Sequence, residues 1–298
     1  MQGRRHAGES TANSAGPITS RDNKWIKAFR AALRGTGPRA GEPIGVEGPK
    51  MVEEALRAGL EAEALLVSES GERNAEQVLD AASESEAGIR RSRVLRTTDK
   101  LFESVAGTDS PQGVAALFRQ REWGLEDVLR GPGAMRESAP LVAVIAAVQD
   151  PGNVGTIVRS AEAFGATGAI STRGSADPWS PKALRASAGS ALRLPLLRGM
   201  AIPILIAQLR IAEARIYAAA SKHDTGRQAS GIANDVDLRG PAAIFIGNEG
   251  SGLPDEVLRA ADGIISIPTS GAVESLNAGI AASIVLYEAA RQRKLARP

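Results

Sequence analysis

The sequence predicts an α/β protein: a mostly parallel C-terminal sheet preceded by a smaller α/β module. Three observations carry this reading. Residues 141–148 are a continuous apolar run, as in a strand buried on both faces of a parallel sheet. Strand and helix signals alternate from residue 18 onward. Near the C-terminus, two strands (244–246 and 263–267) run into turns of small or polar residues and then into helices.

Composition narrows the function classes. The 298 residues allow two domains or one large one. Aromatic residues make up only 3%, so Ala, Val, Leu and Ile must build the core. The absence of Cys excludes disulfides, thiolate metal sites and a Cys nucleophile. Two histidines, His6 in a polar tail and His223 in a loop, are too few for a His-based metal site or triad, so no metal is expected. No apolar run reaches membrane-span length and no signal-peptide core follows Met1, so a cytoplasmic protein without membrane attachment is expected. The net charge is +2 but uneven. Residues 1–50 hold nine Lys/Arg against four acids, and residues 173–198 hold five against one. Such patches suit phosphate contact, or are simply solvated faces.

Residues 1–17 lack periodicity and read as a disordered tail. A basic amphipathic helix spans 23–33, with Trp25, Ile26, Phe29 and Leu33 on one face. Strands at 43–46, 64–67, 94–95 and 114–118 alternate with helices opening at Pro49, at 75–82 and at 99–105, giving a module over 18–120. The Gly/Pro-rich, charged stretch 121–139 reads as a linker, and the second domain as 140–298. After strand 141–148, Asn153 is placed as N-cap of a helix that runs 154–164 and stops at Gly165. Its apolar stripe is Val154, Ile157, Val158 and Ala161, with Arg159 on another face. Residues 180–195 mix small residues with Lys182, Arg185 and Arg193, which suits either a polyanion or tight helical packing. Further strands are expected at 169–170 and 216–219. Gly247, Gly250 and Gly252 form a turn that holds Glu249, and Pro254 is read as the first helical position. Glu249 is either an exposed turn acid or a carboxylate braced by amides. A final helix begins near Ser275, Leu276 and Asn277.

Four separated stretches resemble one family. DPGNVGTIVRSAEAFG (150–165), KALRASAGSALRLP (182–195), IFIGNEGSGLP (244–254) and ISIPTSGAVESLNAGIAASI (265–284) are similar to motifs of the SpoU/TrmH RNA ribose 2′-O-methyltransferases of the SPOUT superfamily. ITSRDN, GVEGPKMVEEAL and SPQGVAAL resemble the substrate-binding module of rRNA-modifying members. The resemblance implies a deep trefoil knot, bound S-adenosylmethionine, an RNA substrate and a homodimer. It implies catalytic roles for Asn153, Arg159, Glu249, Ser275 and Asn277, and cofactor contacts from Gly247, Ile267, Leu276, Ser275 and Asn277. The last helix, with Ala278, Gly279, Ala281, Ala282 and Ser283, is expected to approach another backbone closely. The separate N-terminal module favours rRNA, 23S in particular, over tRNA. A non-catalytic RNA-binding protein would have damaged motif residues, and none is damaged. The glycine spacing does not fit a Rossmann dehydrogenase.

Overall fold

The computed structural model describes residues 16–83, 93–133, 138–220, 231–232, 235–248, 250–270 and 275–293. Its first part carries α1 (Lys24–Arg34), β1 (Ile44–Glu47), α2 (Pro49–Arg57), β2 (Ala62–Ser68), α3 (Glu72–Ser83), β3 (Arg93–Thr97), α4 (Asp99–Glu103) and β4 (Val114–Phe118). The Asn23 side chain caps α1, which buries Ile26, Phe29 and Leu33 as the apolar period requires. α3 starts three residues before the expected point because its first turn is polar, so the apolar period begins only at Ala75. The four strands form a mixed sheet in the order β1-β4-β2-β3. Ile18 joins the module by donating its amide to the Arg96 carbonyl at 2.8 Å.

The second part carries α5 (Leu125–Arg130), β5 (Leu141–Ile145), α6 (Pro151–Ala163), β6 (Gly168–Thr172), α7 (Pro181–Ala186), α8 (Ser190–Arg193), β7 (Leu196–Met200), α9 (Ile202–Ile211), β8 (Arg215–Ala219), β9 (Gly231–Ile232), β10 (Ala242–Ile246), α10 (Asp255–Ala260), β11 (Gly263–Ser266) and α11 (Ala278–Gln292). Its sheet runs β7-β6-β5-β10-β8-β11-β9, and every pairing among the described residues is parallel. From β5 the chain steps outward to β6 and β7, while the later strands lie on the other side of β5. The strand order therefore reverses between β5 and β10, where open parallel sheets hold ligands beyond their strand C-termini. Residues of α5, α9 and α10 pack on one face against Val142, Val144 and Phe245. Residues of α6, α7, α8 and α11 pack on the other face against Ala143, Ile145 and Ile244, in a core that continues into α2 and α3. Among the described residues no helix is long and apolar enough to cross a membrane.

The structure differs from the sequence reading in several places. The stretch 121–139, read as linker, contains α5, whose Val128 is fully buried. A Cβ on Gly168 of β6 would lie 2.6 Å from Val128 Cγ1, so strand and helix meet at a glycine. β5 stops at Ile145 rather than Val148, because Ala147 turns into the left-handed region with φ 57°. Val148 remains buried, so the apolar run records burial beyond the strand's end. β7, α9 and β9 had no distinct sequence signal, and α9 (IPILIAQLRI) lacks the polar face that marks a helical period. His6, His223 and residues 1–15 of the expected tail lie outside the described residues. So do 221–230 and 271–274.

Candidate active site

The start of α6 corrects one sequence expectation. Asp150, not Asn153, is the N-cap: its Oδ2 accepts from the Asn153 amide at 3.1 Å, and Pro151 takes the first helical position. Proline there loses no hydrogen bond, so the helix begins three residues before 154 and Asn153 is released from capping. Lys182 donates to Asp150 Oδ1 at 2.5 Å, and this bond holds the Asp150 carboxyl below the usual carboxylate range. Val154, Ile157, Val158 and Ala161 are fully buried as expected. Arg159 is exposed and makes no hydrogen bond or ion pair among the described residues.

α11 delivers the second polar residue. Asn277 caps it, with Oδ1 accepting from the amides of Gly279 at 3.0 Å and Ile280 at 3.2 Å. With Oδ1 committed to the helix end, Nδ2 must donate, and it does so to Asn153 Oδ1 at 2.9 Å. α11 lies very close to α6. A Cβ on Gly279 would sit 2.8 Å from Thr156 Cγ2, and the Ser160 and Ser283 hydroxyls are 2.7 Å apart. The small residues expected to meet another backbone thus pack within the chain, against α6. Ser275 is exposed and Leu276 half-buried on the approach to this helix.

The turn after β10 supplies the third wall. The Asn248 and Gly252 amides and carbonyls pair at 3.1 and 3.0 Å. Asn248 Oδ1 accepts from the Gly250 and Ser251 amides at 2.8 and 3.2 Å, and its Nδ2 donates to the Ala147 carbonyl at 3.3 Å. A Cβ on Gly247 would lie 2.6 Å from the Gly252 backbone, so this glycine clears the turn's own chain. Sequence reasoning passed over Asn248, although Asn ahead of a glycine turn is a known turn former. It also passed over Ala147, whose left-handed backbone costs about 1–2 kcal/mol and is held by Asn248 from the turn after β10 and by Thr172 Oγ1 at the end of β6. Pro254 is the N-cap of α10 rather than its first residue, since its ψ of 143° is not helical. Glu249 lies outside the described residues.

Strand register brings these loops to one edge. Ile246 of β10 pairs with Ile145 of β5 and with Ala219 of β8, and Ala219 also pairs with Ile265 of β11. Gly247 and Ile267, both half-buried, therefore emerge within one residue of the same level beside the loop that leads to Asn153. The structure joins Asn153 to Asn277 directly, whereas Arg159 bonds to neither. Among the described residues no group of three His, Asp or Glu side chains converges. What the edge offers is two fixed amides, two half-buried apolar side chains and backbone polar groups, a set suited to binding and positioning; Arg159 lies six residues beyond Asn153 along α6.

Fold and site define a class: a parallel α/β ligand-binding protein, its site built from strand-end loops and joined to a small mixed-sheet module. Residues 140–287 match the SpoU rRNA Methylase family, and residues 40–116 match the MRM3-like substrate binding domain. The chain is 30% identical over 243 residues to the 23S rRNA (guanosine(2553)-2′-O)-methyltransferase RlmP of Bacillus subtilis, covering 81% of this chain and 86% of that one. It superposes on an rRNA methyltransferase from Sinorhizobium meliloti with TM-score 0.76 and 30% identity, covering 93% and 97% of the two chains. It also superposes on the SpoU methyltransferase AviRb from Streptomyces viridochromogenes, solved with AdoMet, with TM-score 0.74 and 26% identity, covering 92% and 100%. The chain belongs to the SpoU rRNA methylase family, and its fold is that of the SPOUT methyltransferases.

Proposed function

We propose that this protein is an S-adenosylmethionine-dependent methyltransferase that methylates a ribose 2′-hydroxyl in ribosomal RNA. The observation that carries the reading is the Asn153–Asn277 bond, which ties the first turn of α6 to the head of α11 beside the turn after β10. The names of RlmP and the S. meliloti enzyme support rRNA as substrate, and the AdoMet-bound AviRb supports the cofactor. The residues fit that cofactor: Ile267 and Leu276 are half-buried apolar side chains at the same edge as the backbone of Gly247, with Ser275 and Asn277 alongside. When bound there, S-adenosylmethionine supplies the methyl electrophile. Asn153 and Asn277 orient the ribose by hydrogen bonds. Arg159 offers five N–H donors and no acceptor, so it is not assigned as the base. It pairs instead with a phosphate beside the target and favours the developing alkoxide, while the proton leaves to solvent.

In this reading residues 18–120 present the RNA and residues 140–298 perform the transfer, in the cytoplasm where ribosomes are assembled. The protein works as a homodimer, with each site completed by the other subunit. Ile280, Ile284 and Tyr287, exposed by 52%, 37% and 55%, form an apolar stripe on the outer face of α11 that a second copy would cover. Incubation with methyl-labelled S-adenosylmethionine and either deproteinised rRNA or tRNA tests the function. Label is expected in rRNA; label confined to tRNA, or in neither, would overturn it.

A further inference from the structure

A cleft of about 920 Å³ lies between the N-terminal module and the parallel-sheet domain. On the module side it is bordered by the segment after α1 and the turn after α4; on the other, by Gln149, Pro151 and the start of α7. Gln149 lies just before α6 and Pro151 opens it, two residues ahead of Asn153, so this end of the cleft adjoins the first turn that carries Asn153. Four cations stand on its walls: Arg34, Arg39, Lys182 and Arg185. Among the described residues Arg34 is held by carbonyls alone, with Nε donating to Ala106 O at 2.8 Å and Nη2 to Glu103 O at 3.2 Å, and no carboxylate there cancels its charge. The Arg39 and Arg185 side chains are exposed and have no partner among the described residues. Lys182 shares its charge with Asp150. Of the acids in the lining, Asp177 is already bonded to Arg198, which leaves Asp109 on the rim.

Two arginines hold the walls in place. Arg193 donates to Glu54 of α2 at 2.6 Å and doubly to Glu162 of α6 at 2.8 Å, joining the module to the helix that carries Asn153 and Arg159. Arg198 bridges Asp177, the Pro38 carbonyl and, at 3.0 Å, Gln120 Oε1, and stacks over Trp179 at 5.0 Å. The cleft is therefore formed before any ligand arrives, which lowers the ordering cost of binding.

We propose that this cleft holds the RNA backbone that flanks the methylated nucleotide, with Arg39 and Arg185 on opposite walls contacting its phosphates. The inference rests on the RNA-methyltransferase reading. A preformed cleft with unpaired guanidinium groups on both walls suits a polyanion laid along it, and its end at Gln149 and Pro151 leads that chain to Asn153.

The test compares wild type with the double variant R39A/R185A. Binding of fluorescein-labelled oligo(U) is measured by anisotropy across a salt series, and methyl transfer to deproteinised rRNA by KM and kcat. Each lost single-strand phosphate contact lowers the salt slope by about 0.7, so the double variant should lose about 1.4. Its KM for rRNA should rise roughly tenfold, with kcat at saturating rRNA, S-adenosylmethionine affinity and thermal midpoint unchanged. R39K/R185K should restore most of the slope, since charge and not shape is the requirement. R259A, which removes an exposed arginine outside the cleft, should behave as wild type. If wild type methylates rRNA while R39A/R185A keeps its slope and KM, or R259A loses as much, the cleft assignment is wrong and the enzymatic reading stands. If wild type neither binds nor methylates RNA, both fall.

Discussion

Asn277 does two jobs with one amide. Its oxygen closes the head of α11 and its nitrogen reaches Asn153. The jobs can be separated. Asn277→Ala loses the cap, worth about 1 kcal/mol, together with the donor to Asn153. Asn277→Asp keeps an acceptor for Gly279 and Ile280 but sets a carboxylate against Asn153 Oδ1. The expected outcome is a thermal midpoint close to wild type for Asn277→Asp, with turnover reduced at least about tenfold, the equivalent of roughly 1.4 kcal/mol in the transition state. Full turnover in that variant would show that the Asn153–Asn277 bond has no catalytic part. The sequence set both asparagines at strand-to-helix junctions, and their site roles came from the family resemblance. The reason for Asn153 was not legible there: the cap is Asp150, and only the structure shows the asparagine freed from it. Asn248 and Ala147 were illegible for another reason. Their roles depend on a contact between loops 101 residues apart in sequence, which no local pattern encodes.

At the scale of elements, α6 is the plank on which the site rests. It is clasped by α7 on one side and α11 on the other, at glycines in both cases. A Cβ on Gly155 would lie 2.4 Å from the Ala183 carbonyl oxygen, and backbone there cannot give way cheaply. Gly155→Ala should therefore destabilise the protein by about 1–3 kcal/mol, seen as a lower urea midpoint. An unchanged midpoint would mean that the α6–α7 contact is looser than described. α6 also carries the acid-sensitive link to the module. Burial pushes the Glu162 carboxyl up, but the hydrogen bonds from Arg193 and Ser190 and the Arg193 charge together outweigh it and hold the group below its ordinary value. A carboxylate lowered in the folded state stabilises fully above its unfolded value, about 4.3 for Glu, and that contribution fades as pH falls through the lower folded-state value. Stability should thus decline below about pH 4, with a shallower decline in Arg193→Met. Equal steepness in both would assign the acid loss to other carboxylates. The helices clasping α6 were partly visible as runs of small residues, but small residues look alike whether they meet a neighbouring helix or a partner chain. α5 was hidden by a Gly/Pro-rich context and α9 by its uniform apolarity.

Across the whole molecule, two sheets of different construction share one buried core and two arginine bridges, and the C-terminal helix turns an apolar stripe outward. That stripe predicts a dimer that dissociates when Ile284 is replaced by Glu, read by analytical ultracentrifugation. A wild type that sediments as a monomer would contradict it. The parallel sheet and the meeting of its strand-end loops were legible because buried parallel strands are apolar throughout and break sharply at glycine and proline. The coupling of the two parts was not, since Arg193 and Arg198 are ordinary surface residues in sequence and become bridges only when α2 and the turn at Pro38 come alongside. The central claim is that Asn153, Arg159 and Asn277 place a ribose hydroxyl beside a cofactor held by Gly247, Ile267 and Leu276. Its most direct test is nucleoside analysis of rRNA methylated by the purified protein with methyl-labelled S-adenosylmethionine, alongside Arg159→Ala. The account predicts label on a ribose 2′-oxygen with wild type, and none with Arg159→Ala despite S-adenosylmethionine affinity within about twofold, or roughly 0.4 kcal/mol. Label on a base, or an Arg159→Ala protein that still methylates at the wild-type rate, would contradict it.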